Sequence, residues 1–116
     1  APVQMAGIEA LNGQQDNVDM MVKAFNERRK IIVKGLNEIK GFRCIEPKGA
    51  FYAFPDITNT GINSKKLEEM ILNKTGVATI AGTSFGKFGE GFLRFSYAAN
   101  TERIIEALNR VKKLIG

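Results

Sequence analysis

Histidine is absent from the 116 residues, and cysteine occurs once, at Cys44. A lone thiol cannot form an internal disulfide, and without imidazole neither a zinc cluster nor a histidine-based triad can be assembled. A reducing, cytoplasmic setting fits this cysteine usage. Cys44 sits in the apolar stretch Phe42-Arg43-Cys44-Ile45, where it reads as a core thiol with no neighbour to activate it as a nucleophile. Long apolar runs are missing too. None approaches the ~20 residues that cross a bilayer, and the start lacks the basic-then-apolar pattern of a signal peptide, so no membrane partner is expected.

What is present is an ordinary globular composition, 44% hydrophobic, at a length that suits a single domain over residues 1–116. The opening Ala1-Pro2 carries no initiator methionine, which favours a piece cut from a longer polypeptide. Lysine and arginine total 17 against 12 acids, a net charge of +5. These cations are scattered through predicted helices rather than gathered in one run, so they read as solvated surface and no nucleic-acid partner is expected.

Pro2 can occupy the first turn of a helix in which Val3, Ala6, Ala10 and Leu11 share one side, with Gly13 as its stop. Asp16 offers an N-cap for the longest helix, where Val18, Met21, Val22, Phe25, Ile32, Leu36 and Ile39 keep helical spacing up to Gly41. The apolar segments 42–45 and 50–54, separated by Glu46-Pro47-Lys48-Gly49, read as a β-hairpin. Asn63 caps a third helix, with Ile62 and Leu67 placed as a hydrophobic staple and Gly76 as its end. Strands over 77–80 and 92–97 flank a glycine-rich loop, and Asn100 or Thr101 caps a last helix striped by Ile104, Leu108, Val111 and Ile115. The fold class is α/β in the broad α+β sense: a small mixed or antiparallel sheet with helices packed on one face, in the order α-α-β-β-α-β-β-α.

Residues 81–97 admit three chemical readings. As a phosphate loop, Gly82 and Gly86-Lys87 are one residue short of the required spacing, and Phe88 stands where a hydroxyl should follow the lysine. As an RNA-stacking strand, Gly91-Phe92-Leu93-Arg94-Phe95 matches only the back half of the aromatic motif, and core packing explains Phe92 and Phe95 as well. As a carboxylate clamp, Arg94 interrupts an apolar strand where a buried cation requires an anionic partner. Its planar fork suits an incoming carboxylate through two parallel hydrogen bonds, and equally an ion pair with one of the chain's own acids.

Two segments in register carry a family resemblance: Pro47-Lys48-Gly49-Ala50-Phe51-Tyr52-Ala53-Phe54 and Gly86-Lys87-Phe88-Gly89-Glu90-Gly91-Phe92-Leu93-Arg94-Phe95-Ser96-Tyr97-Ala98. Together with the opening residues 1–11, they closely resemble the C-terminal small domain of class I/II aminotransferases, the aspartate-aminotransferase-like members of fold type I. The resemblance implies an enzyme that uses pyridoxal 5'-phosphate to move an amino group between an amino acid, aspartate-like by default, and a 2-oxo acid. It matches Arg94 to the arginine that binds the substrate α-carboxylate, and it puts Gly49 on a substrate-side edge where backbone approaches the ligand. By the same resemblance the cofactor lysine and most phosphate-binding groups belong to the large domain. Lys48 and Lys87 occupy none of those contexts, so the chain alone is expected neither to hold the cofactor nor to turn over substrate. A homodimer is implied for the full-length enzyme. The rival reading is a stand-alone basic α+β module that stacks single-stranded RNA on Phe92 and Phe95.

Overall fold

Four helices and three short strands follow one another as α1 (Pro2–Asn12), α2 (Asp16–Asn37), β1 (Tyr52–Ala53), α3 (Ser64–Thr75), β2 (Ile80–Ala81), β3 (Leu93–Ser96) and α4 (Thr101–Ile115). The computed structural model describes all 116 residues. β3 lies in the middle of the sheet, antiparallel to both neighbours, with Tyr52 opposite Ser96, Ala53 opposite Phe95, Ile80 opposite Arg94 and Ala81 opposite Leu93. Side chains alternate along a strand, and directly paired residues share a face. Leu93 and Phe95, 0% and 5% exposed, therefore point inward with Ala53 and Ala81. Arg94, Ser96, Tyr52 and Ile80 share the other face.

The inward face is covered by α2, α3 and α4, through Ile32 and Leu36, Leu67 and Ile71, and Ile104, Leu108 and Val111. This is the one-sided arrangement that the stripes imply. Both capping asparagines act as their spacing predicts: Asn63 Oδ1 accepts from the Lys66 amide at 2.8 Å and Asn100 Oδ1 from the Arg103 amide at 2.9 Å. Gly76 closes α3 in the left-handed region at φ 76°. Where α2 meets α4, a Cβ on Gly35 would fall 2.5 Å from Leu108 Cδ1, so the leucine occupies the space a side chain would take. Cys44 is buried as expected, and burial pushes its thiol pKa up.

Four expectations are corrected. Residues 42–45 do not form a hairpin strand. Arg43 makes one two-way backbone exchange with Asp56, at 2.9 and 2.7 Å, while the Asn37 side-chain amide pairs with the Cys44 N–H and C=O at 2.8 and 3.0 Å. A side chain thus supplies the partners that a strand would have needed, and the order becomes α-α-β-α-β-β-α. Asp16 is the first residue inside α2 rather than its cap, and the strand expected over 77–80 shrinks to Ile80–Ala81.

The fourth correction concerns the first helices. Val3 and Leu11 of α1 are 83% and 84% exposed, and Val18, Met21 and Val22 of α2 are exposed as well. A helix of 22 residues is about 33 Å long, more than the other elements can cover. The first turns therefore project, with α1, as an arm. Its effect on shape is plain: the radius of gyration is 16.8 Å, against about 13 Å for a compact body of this length. α2 begins to pack at Phe25, which stacks on Phe51 with ring centroids 5.9 Å apart.

Burial separates two leucine substitutions that periodicity alone treats alike. Leu67→Ala, at a position 0% exposed, is expected to cost about 2–5 kcal/mol of unfolding free energy in a denaturant titration. Leu11→Ala, on the projecting arm, should change the same measurement by less than about 0.5 kcal/mol.

Candidate functional site

The face of the sheet that no helix covers is built around Arg94. The period of β3 puts this side chain outward between two buried neighbours, partly buried itself. Its guanidinium carbon lies 4.2 Å from the centroid of the Tyr52 ring and 4.8 Å from that of Phe85. Phe85 in turn meets Phe54 edge-on at 5.9 Å, and Tyr52 is 4.5 Å from Phe51. The chain's ion pairs join Arg29 and Lys48 to Glu46, Lys65 to Glu68, Arg110 to Glu106 and Lys112 to Glu38. The Arg94 side chain takes part in none of them and makes no hydrogen bond within the chain, so of its two sequence readings the internal ion pair is not formed.

Phe85 reaches Arg94 from the loop between β2 and β3, two tight turns at Gly82–Phe85 and Lys87–Gly89. The loop closes where Gly82 and Gly89 touch backbone to backbone. A Cβ on Gly82 would sit 2.1 Å from the Gly89 carbonyl oxygen, and one on Gly89 would sit 1.9 Å from that of Gly82. No side chain fits at either position, so these glycines serve close approach. Gly86, at φ 131°, is the one residue of the tip whose backbone needs glycine for conformation. At the base, Glu90 Oε2 accepts from the amides of Ser64 and Gly91 at 3.0 and 2.7 Å, and Ser64 Oγ accepts from Gly91 N at 2.8 Å. The Ser64 hydroxyl first, then the two amides, hold the Glu90 carboxyl below the usual carboxylate range.

Gly49 lies apart from Arg94. It lines a cavity of about 330 Å³ with Asn26, Arg29, Lys48, Phe51 and Tyr97 among others, and Arg94 is not in that lining. The strained residue of its turn is the next one, Ala50, at φ 59°, whose carbonyl accepts from the Tyr97 hydroxyl at 2.9 Å. Phe95 is buried against Phe42, with centroids 6.3 Å apart. It has no face to offer a base, which removes one of the two rings that the RNA reading requires. Neither Phe51 nor Tyr52 enters the central core either; Ala53 does.

Residues 1–111 match the family model for aminotransferase class I and II. The chain belongs to the class I and II aminotransferases. It is 50% identical to the aspartate aminotransferase of Pyrococcus horikoshii over 115 residues, which cover 97% of the chain and 29% of that protein. It superposes on the crystal structure of an aromatic aminotransferase from the same species with a TM-score of 0.92 and 42% identity, covering 97% of the chain and 30% of the other. A PLP-bound putative aminotransferase from Clostridium difficile 630 matches at a TM-score of 0.83 and 26% identity over 93% of the chain and 28% of its own. The chain thus spans about three tenths of the length of the curated relatives it matches.

For an aminotransferase, the groups around Arg94 do not fit the cofactor. Two aromatic rings, Ile80 and Ser96 offer no amine on this face, Lys48 Nζ stands 3.9 Å from Glu46, and Lys87 Nζ lies over the Phe88 ring at 5.2 Å. What the arrangement can do is receive an anion at a guanidinium that lies over two aromatic rings and has no acid of its own chain as partner. Sequence reasoning singled out Arg94 but did not place Tyr52 and Phe85 beside it. The pairing of Tyr52 two residues along from Arg94 on a shared face is a signal that an antiparallel register would have supplied.

The Glu90 anchor has a pH signature. Its folded pKa is depressed, so its contribution to stability is present above the ordinary carboxylate value near 4.5 and is lost as pH falls through the lower folded value. Thermal unfolding between pH 5 and pH 3, roughly the span over which such a carboxylate titrates, should therefore show a steeper loss of stability in the parent than in Glu90→Gln. Parallel curves would remove the anchor.

Proposed function

We propose that residues 1–116 form the C-terminal small domain of a PLP-dependent aminotransferase, and that Arg94 holds the α-carboxylate shared by its amino-acid and 2-oxo-acid substrates. The observation that carries this reading is an arginine on an uncovered strand face, with no acid of its own chain paired to it. An anion from outside is the missing partner, and a carboxylate matches the two in-plane N–H donors of the fork.

The work done by this chain is orientation. Two charge-assisted hydrogen bonds fix the carboxylate, and with it the direction of the bonds at the adjacent carbon. The rings beside Arg94 give the guanidinium apolar neighbours, and an ionic contact is stronger where the surroundings are less polar than water. Pyridoxal phosphate would be held by groups outside this chain, where it would supply the electron sink for the amino-group exchange. Aspartate is the default substrate class, supported by the name of the 50% identical relative. A cytoplasmic homodimer is the setting proposed for the complete enzyme.

In the complete enzyme, Arg94→Ala is expected to lower kcat/KM for carboxylate substrates by at least about a hundredfold, the value of one or two hydrogen bonds to a charged group. Arg94→Lys should recover only part of that loss, because an ammonium lacks the fork. Cofactor absorption should be unchanged in both variants. Steady-state kinetics with unaltered carboxylate affinity would remove Arg94 from the site.

A further inference from the structure

A guanidinium can be held in place in two ways. A carboxylate neighbour fixes it by engaging its edge, which uses the N–H donors that a ligand would need. Aromatic rings fix it by lying against its faces, where the delocalised cation meets the π system and no donor is consumed. The Arg94 guanidinium carbon lies over the Tyr52 ring at 4.2 Å and over the Phe85 ring at 4.8 Å, and no acid of the chain pairs with it. We infer that Phe85 and Tyr52 are positioning residues for carboxylate recognition, holding the Arg94 guanidinium by its faces and leaving its edge open to the substrate. The inference rests on the reading of Arg94 given above and extends it to two residues that make no hydrogen bond to the acid themselves.

The two rings arrive by different routes. Tyr52 is delivered by register, since its strand partner Ser96 stands two residues from Arg94 on one face. Phe85 is 55% exposed, so burial does not explain its placement. It is delivered by the loop's construction: the Gly82–Gly89 backbone contact, the Gly82 amide donating to the Phe92 carbonyl at 2.8 Å, and the Glu90 anchor on the first turn of α3. The ring is then steadied from the side by Phe54. A long, flexible arginine that is ordered before its ligand arrives loses less freedom on binding, so the aromatic holder should appear as affinity for carboxylates.

The test is a set of single and double variants of the complete aminotransferase. Binding of succinate and of 3-phenylpropionate, the aspartate and phenylalanine skeletons without their amino groups, is measured by calorimetry on the cofactor-loaded enzyme. With whichever acid binds the parent more tightly, Phe85→Leu and Tyr52→Leu should each weaken binding about threefold to thirtyfold, the range of cation–π contacts from exposed to desolvated settings. Phe85→Tyr, which keeps the ring face, should bind like the parent. In an Arg94→Leu background, Phe85→Leu should have no further effect, because a positioning residue acts only through the group it positions. Unchanged binding in Phe85→Leu, or an equal loss with Arg94 absent, overturns the positioning role while leaving Arg94 in the site. Unchanged binding in Arg94→Leu itself overturns both readings.

Discussion

The two-residue period of β3 is the constraint on which the rest of the molecule depends. Four residues, Leu93 to Ser96, supply both the inner seam of the core and the outward arginine. A slip of one position in register would turn Arg94 toward Ile71, Leu67 and Val111 and bring Leu93 and Phe95 to the surface, which no compact arrangement of these helices tolerates. Core and site are therefore specified together, and the central location of β3, paired on both edges, keeps that alternation from sliding.

Charge is arranged around this strand with some economy. Three acids are engaged by donors of their own surroundings: Glu90 by the Ser64 and Gly91 amides, Glu68 by the Ala81 amide and Lys65, Asp56 by the Thr58 hydroxyl and amide. Each of these three carboxyls is held below its ordinary pKa by the donors it accepts, foremost the Ser64 hydroxyl, the Ala81 amide and the Thr58 hydroxyl in turn. These contacts tie the loops to the body, and none of them involves the Arg94 guanidinium.

Much of this was legible in the order of residues, and the exceptions share a cause. Helix caps at Asn63 and Asn100, the α4 stripe and the period of β3 are local patterns, and each appears where its spacing puts it. The hairpin over 42–45 failed because Asn37, a residue of the preceding helix, satisfies Cys44 instead. The stripe on α1 is a true helical pattern, but periodicity says nothing of what lies opposite, and within these 116 residues nothing does. Phe85 was the least legible of all: its place over Arg94 follows from a backbone crossing between two glycines seven residues apart, which leaves no trace in hydrophobic pattern.

That crossing has a consequence for how freely the loop can vary. Its closure reads no side chain at all, only the lack of one at Gly82 and Gly89. Thr83, Ser84, Lys87 and Phe88 are exposed between those two points and bear on neither the crossing nor the core. The fold thus offers an engineer a small, separable canvas at the rim of the arginine, where shape and charge can be rewritten while two missing methyl groups keep the frame in place.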